Sequence, residues 1–105
     1  PLHVAADGGI TEFPATAPPL GILPGLAVES QEVMLAGGSF YLYTDGVTEA
    51  ELTAGRPLQV PGLLRLLQTF GDLPPTDRVA RVAHALDGTA GRRDDVTLLV
   101  VEQSP

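Results

Sequence analysis

The sequence predicts an α+β fold, an antiparallel sheet with two helices packed on it. Three observations predict it. Short strand-like runs stand near both ends of the chain, two central segments carry apolar residues at helical spacing, and Gly and Pro punctuate between them. A length of 105 residues suits one domain with one core.

The elements follow in order. Leu2–Ala5 and Ile10–Phe13 read as a hairpin around Asp7-Gly8-Gly9, where glycine supplies the positive φ of a tight turn. Pro18–Gly25 is too rich in proline for helix or central strand. Ala27–Leu35 alternates loosely, which offers Val28, Val33 and Leu35 as a buried face. Ser39–Thr44 is the strongest strand, β-branched or aromatic at most positions. Leu63, Leu66, Leu67 and Phe70 lie on one face of a first helix, with Pro61 in its first turn and Gly71 as its stop. Val79, Val82, Ala83 and Leu86 repeat that spacing in a second helix. There Thr76 is placed to cap the free amides, Asp77 suits the positive N-terminus, and Gly88 ends the run. Val96–Val101 is almost continuously apolar, which predicts a last strand covered on both faces.

Composition excludes several functions. Thirteen acidic against six basic residues give a net charge of −7, and all six basic residues are arginine, scattered except for Arg92–Arg93. Nucleic acid and anionic membranes require clustered positive charge, so neither is an expected partner. Without cysteine there is no disulfide, thiolate metal site or thiol nucleophile. The longest charge-free stretch, Phe13–Val28, holds four prolines and cannot span a bilayer as a helix. No leader pattern opens the sequence, and a reducing cytoplasm is the expected compartment.

Carboxylates carry the plausible chemistry. Asp45 ends the best strand, and Asp94 and Asp95 precede the last one. If these strands are antiparallel neighbours, both acidic ends reach one rim of the sheet. Oxygen-only ligands there suit Mg²⁺ or Mn²⁺, and Gly46 would admit a water beside Asp45. The plainer alternatives are a turn at Asp45-Gly46 and a solvated strand start at Asp94-Asp95, with Arg92–Arg93 balancing the charge. His3 and His84 have no ligand partners nearby in sequence, and His84 lies off its helix's apolar stripe.

Tyr43-Thr44-Asp45-Gly46-Val47-Thr48-Glu49-Ala50 and Asp94-Asp95-Val96-Thr97-Leu98-Leu99-Val100 resemble two signature segments of one family. It is the bacterial branch of the metal-dependent protein serine/threonine phosphatases (the PPM superfamily), of the sporulation stage II E and sigma-factor-regulator type. Pro18-Pro19-Leu20-Gly21-Ile22-Leu23 is similar to that family's Pro-Leu-Gly stretch, and the opening hairpin resembles the strands after its Ala-Gly-His-Pro segment. The resemblance covers essentially all 105 residues in order. It implies a four-layer α-β-β-α sandwich and a two-metal Mn²⁺ or Mg²⁺ centre. It also implies hydrolysis of phosphoserine or phosphothreonine by metal-activated water, on a phosphorylated regulatory protein such as an anti-sigma-factor antagonist. By motif position Asp45 and Asp94 resemble metal ligands, Asp95 a supporting residue behind them, and Gly46 the glycine of the Asp45 turn.

The departures set a limit. The family's early bridging aspartate and its Ala-Gly-His segment have no counterpart, and Val60-Pro61-Gly62 replaces the usual Phe-Gly. Residues 1–105 are therefore expected to be the C-terminal portion of such a domain, inactive alone and completed by the upstream half or by a second copy. The alternative is a non-catalytic remnant that keeps the sheet as a protein-interaction or regulatory module. Carboxylates crowded at one rim favour the first reading, because like charges there cost stability unless a cation is present.

Overall fold

The computed structural model describes residues 1–15, 17, 21–53, 55–87 and 95–103. Its elements are β1 (Leu2–Val4), β2 (Ile10–Glu12), β3 (Ser39–Tyr43), α1 (Asp45–Thr48), β4 (Glu51–Thr53), β5 (Arg56–Pro57), α2 (Gln59–Thr69), α3 (Pro75–Asp87) and β6 (Leu98–Glu102). Four strands form a sheet in the order β2-β1-β3-β6, and β4-β5 is a separate ribbon. The class is α+β, with three helices where two are expected. The chain divides into two compact units, Pro1–Phe40 with Glu102–Pro105, and Tyr41–Val101.

In the first unit β1 and β2 pair antiparallel, with Leu2 opposite Glu12 and Val4 opposite Ile10. The Asp-Gly-Gly signal works as expected. Gly8 takes φ 91°, a conformation that a Cβ would strain. The Asp7 side chain accepts a hydrogen bond from Gly9 N at 2.8 Å, and Ala5 N donates to Gly9 O at 2.7 Å to close the turn. Gly38 is buried for a different reason: a Cβ on it would lie 2.4 Å from Val4 O and 2.9 Å from Ala5 Cα. Phe13 and Phe40 meet edge to face at 5.9 Å, a favoured geometry for aromatic rings.

The expected buried face over Ala27–Leu35 does not form. Residues 26–35 have no regular structure, and of the three expected positions Val28 and Val33 are exposed and Leu35 is half-buried. An extended run with no strand beside it has no ladder to satisfy its backbone and leaves its side chains in water. Pro18–Leu20 of the loop lie outside the described residues, and Gly21–Gly25 are turns and bends.

In the second unit the core is Tyr41, Val47, Ala50, Leu63, Leu67, Val82 and Leu86. On α2 the expected stripe is present, Leu63 and Leu67 buried, Leu66 and Phe70 half-buried. Pro61 sits in the first turn, and Gly71 N donates back to Gln68 O just beyond the helix. On α3 two expectations change. Pro75 takes the first helical position, where its missing N–H costs nothing, and Arg78 N bonds Pro74 O at 2.9 Å. Thr76 is consequently the second helical residue, not the cap. The buried stripe is Arg78, Val82 and Leu86, with Ala83 exposed. Gly88 lies outside the described residues.

Arg78 is 6% exposed and tied down at several points. Its Nη1 donates to Tyr41 Oη at 2.9 Å, and its Nη2 to Leu73 O at 2.8 Å and to Gly71 O at 3.4 Å. It joins α3 to β3 and to the connection between α2 and α3. The β4-β5 ribbon, absent from the sequence expectation, turns on Gly55 at φ 79°, whose N–H donates to Glu51 Oε2 at 3.1 Å.

The last strand also differs from expectation. Leu98 and Val100 are half-buried, whereas Leu99 is 52% and Val101 42% exposed. Leu98–Val101 are all apolar, but one face of the strand is open to solvent. The described residues provide no layer for that face.

Candidate functional site

The acidic strand ends share one rim, for reasons visible in the ladder. Ser39 Oγ donates to Glu102 Oε1 at one end of the β3–β6 pair, and Thr44 N donates to Thr97 O at 3.1 Å at the other. Residue number climbs along β3 as it falls along β6, so the two strands run antiparallel. The end of β3 therefore meets the start of β6.

Thr44 makes that junction. It is extended (φ −93°, ψ 164°) and is the last residue before α1. In a hydrogen-bonded antiparallel pair, two facing residues exchange both N–H···O bonds. Here Thr44 N donates to Thr97 O, but Thr44 O accepts from Val47 N at 3.0 Å, the bond that opens α1. The missing ladder acceptor is replaced by the side chain: Thr97 N donates to Thr44 Oγ1 at 3.0 Å. The same hydroxyl donates weakly to Asp95 O at 3.4 Å. Threonine before a helix ordinarily caps it with its own oxygen. Thr44 makes no such cap bond, because its hydroxyl is engaged by the neighbouring strand.

Asp45 is thereby the first residue of a one-turn helix, not part of a simple turn. Its backbone carbonyl accepts from Glu49 N at 2.8 Å and from Thr48 Oγ1 at 3.2 Å. Its carboxylate is exposed and makes no hydrogen bond among the described residues. Gly46 and Val47 behind it are buried, so the turn that presents the carboxylate is anchored in the core. Asp95, three residues before β6, is exposed. Asp94 lies outside the described residues, as do Arg92 and Arg93. His84 is exposed on α3, as its place off the stripe predicts, and His3 is half-buried on β1.

A hard divalent cation prefers oxygen donors and fills its remaining positions with water. The rim fits that chemistry. Among the described residues the Asp45 carboxylate accepts no hydrogen bond, and the sequence holds no cysteine to compete as a soft ligand. The number of donors is short of a closed set: no group of three or more His, Cys, Asp or Glu side chains able to hold a metal exists among the described residues. Sequence reasoning found the two strand ends and assigned no role to Thr44. The signal was a hydroxyl residue at the last strand position before an Asp-Gly.

Fold and rim together define an α+β protein with carboxylates gathered at one end of an antiparallel strand pair. The chain belongs to the Stage II sporulation protein E (SpoIIE) family, whose model matches residues 1–104. Membership points to a sporulation-related phosphatase role. No curated protein matches the chain, and no solved structure does. Among the described residues no helix is long and apolar enough to cross a membrane.

Proposed function

We propose that this chain is the C-terminal portion of a PPM-type protein serine/threonine phosphatase domain and supplies part of its metal centre. The observation that supports the reading is the Thr44–Thr97 junction, which sets the residue before Asp45 against the Asp95–Thr97 segment that leads into β6, in a chain of the SpoIIE family. Asp45 and Asp94 would hold Mn²⁺ or Mg²⁺, with Asp95 supporting them from the strand start. When bound, the ion supplies a water acidic enough to attack phosphorus near neutral pH, and positive charge beside the phosphoryl oxygens. The chain's own contribution is positional. Gly46 and Val47 fix the turn from behind, and the exposed Asp45 carboxylate faces solvent where a phosphoprotein can approach. The substrate class is phosphoserine or phosphothreonine on a regulatory protein such as an anti-sigma-factor antagonist.

The remaining ligands would come from the upstream half of the domain or from a second copy. The open apolar face at Leu99 and Val101 supports this, because a second sheet of a four-layer sandwich would cover it. The same open face favours a second reading, in which the chain is a non-catalytic interaction module. Mn²⁺-dependent hydrolysis of p-nitrophenyl phosphate separates the two. The chain alone is expected to be inactive, and to become active when the upstream half of a relative is added in trans. That activity should vanish with Asp45→Asn. Activity of the chain alone would refute the partial site, and inactivity in every combination would favour the interaction module. In metal-free solution Asp45→Asn is expected to leave stability within about 1 kcal/mol of wild type, since the carboxylate is exposed and accepts no hydrogen bond among the described residues. A larger loss would make Asp45 a structural acceptor.

A further inference from the structure

We infer that Thr44 is a positioning residue for the Asp45 carboxylate, acting by lending its side-chain hydroxyl to the sheet ladder in place of its own carbonyl. The inference rests on the reading of the rim as a cation site and deepens it. A chain that passes from strand to helix in one residue faces a conflict over one acceptor. The carbonyl of the junction residue is wanted by the facing strand's amide and by the first helical amide. In this protein Val47 N takes the carbonyl and Thr97 N takes the hydroxyl. Both bonds can then exist, and β3 stays zipped up to the residue before Asp45.

Without the hydroxyl one of the two bonds must go. If the Thr44 carbonyl turns back to Thr97, α1 loses its opening bond and Asp45 rotates. If it stays with Val47, the Thr97 amide loses its acceptor on Thr44 and the Asp95–Thr97 segment drifts from β3. Either outcome changes the distance between carboxylates on opposite strands, and metal coordination tolerates only a few tenths of an ångström. Valine has nearly the shape of threonine and lacks the oxygen. Serine keeps the oxygen and drops the methyl. The pair therefore separates the hydroxyl's role from strand packing.

The test uses the full chain and Mn²⁺ alone, with free Mn²⁺ followed by its electron paramagnetic resonance signal. Amide exchange at Thr97 is measured in the metal-free protein. Thr44→Val is expected to speed exchange of the Thr97 amide about tenfold and to weaken Mn²⁺ binding about tenfold, one hydrogen bond's worth of each. Thr44→Ser is expected to restore both to within about threefold of wild type. Faster exchange in Thr44→Val with unchanged Mn²⁺ affinity would overturn the inference while leaving the cation rim standing. Unchanged exchange, or failure of serine to restore binding, would overturn it too. If Asp45→Asn leaves the Mn²⁺ isotherm of the chain unaltered, the rim reading itself fails and the inference falls with it.

Discussion

Replacing Arg78 by methionine tests whether the second unit is organised around a buried guanidinium. The side chain is 6% exposed and its two short bonds run to Tyr41 Oη and Leu73 O. A hydrogen bond to a charged group contributes about 1.5–3 kcal/mol, and a buried polar group left unpaired costs about 1–3 kcal/mol. Methionine fills most of the volume and recovers some burial, about 1 kcal/mol. The balance is a loss of about 3 kcal/mol, a large share of the roughly 5–15 kcal/mol typical of a whole domain, and a fall in Tm of about 12–15 °C. Tyr41→Phe removes one acceptor and should cost about 1 kcal/mol. Combining it with Arg78→Met should give a coupling of about 1 kcal/mol. Urea unfolding followed by circular dichroism measures all four corners of the cycle. An Arg78→Met protein within about 1 kcal/mol of wild type would refute the reasoning, as would additive single changes.

Two further outcomes follow from the packing. Gly38→Ala would push a Cβ onto the backbone of Val4 and Ala5, and a destabilisation of about 2–3 kcal/mol is expected in denaturant titration; a neutral result would show that β1 yields without cost. Leu99 and Val101 leave an apolar face open, so the wild-type chain should self-associate as concentration rises in sedimentation velocity. Leu99→Glu should suppress that association, and a wild type that stays monomeric throughout would count against an uncovered sheet.

Much of the fold is legible in the sequence, and what is not has physical causes. The hairpin is readable because Asp7-Gly8-Gly9 names its own turn, and α2 because Leu63 and Leu67 fall one turn apart. Arg78 is harder. Its position is in phase with Val82 and Leu86, but a charged residue reads as solvent-facing until its acceptors are known, and those include a tyrosine on a distant strand and two loop carbonyls. The residues Ala27–Leu35 show the reverse error, since apolar alternation predicts a strand only where another strand is available to pair. At the candidate site the Asp-Gly and Asp-Asp segments are legible as chemistry. The role of Thr44 is not, because it depends on which of two amides claims its carbonyl.

The junction that builds the rim closes over a long stretch of chain. Thr44 and Thr97 are 53 residues apart, and Ser39 and Glu102 are 63 apart, whereas the hairpin and the helices need only neighbours. Entropy sets the order of events: short loops close first, and distant pairings follow once local structure has shortened the effective chain. On this ordering the rim does not exist in the folding transition state. A cation bound there would meet the finished protein alone, so Mn²⁺ should slow unfolding and leave the folding rate untouched. Stopped-flow kinetics with and without Mn²⁺ would show it, and faster folding in the presence of the ion would mean that the two strands meet early. With the folding rate unchanged and unfolding slowed, the site acts as a latch on the native state, dropped into place after the chain has already found its shape.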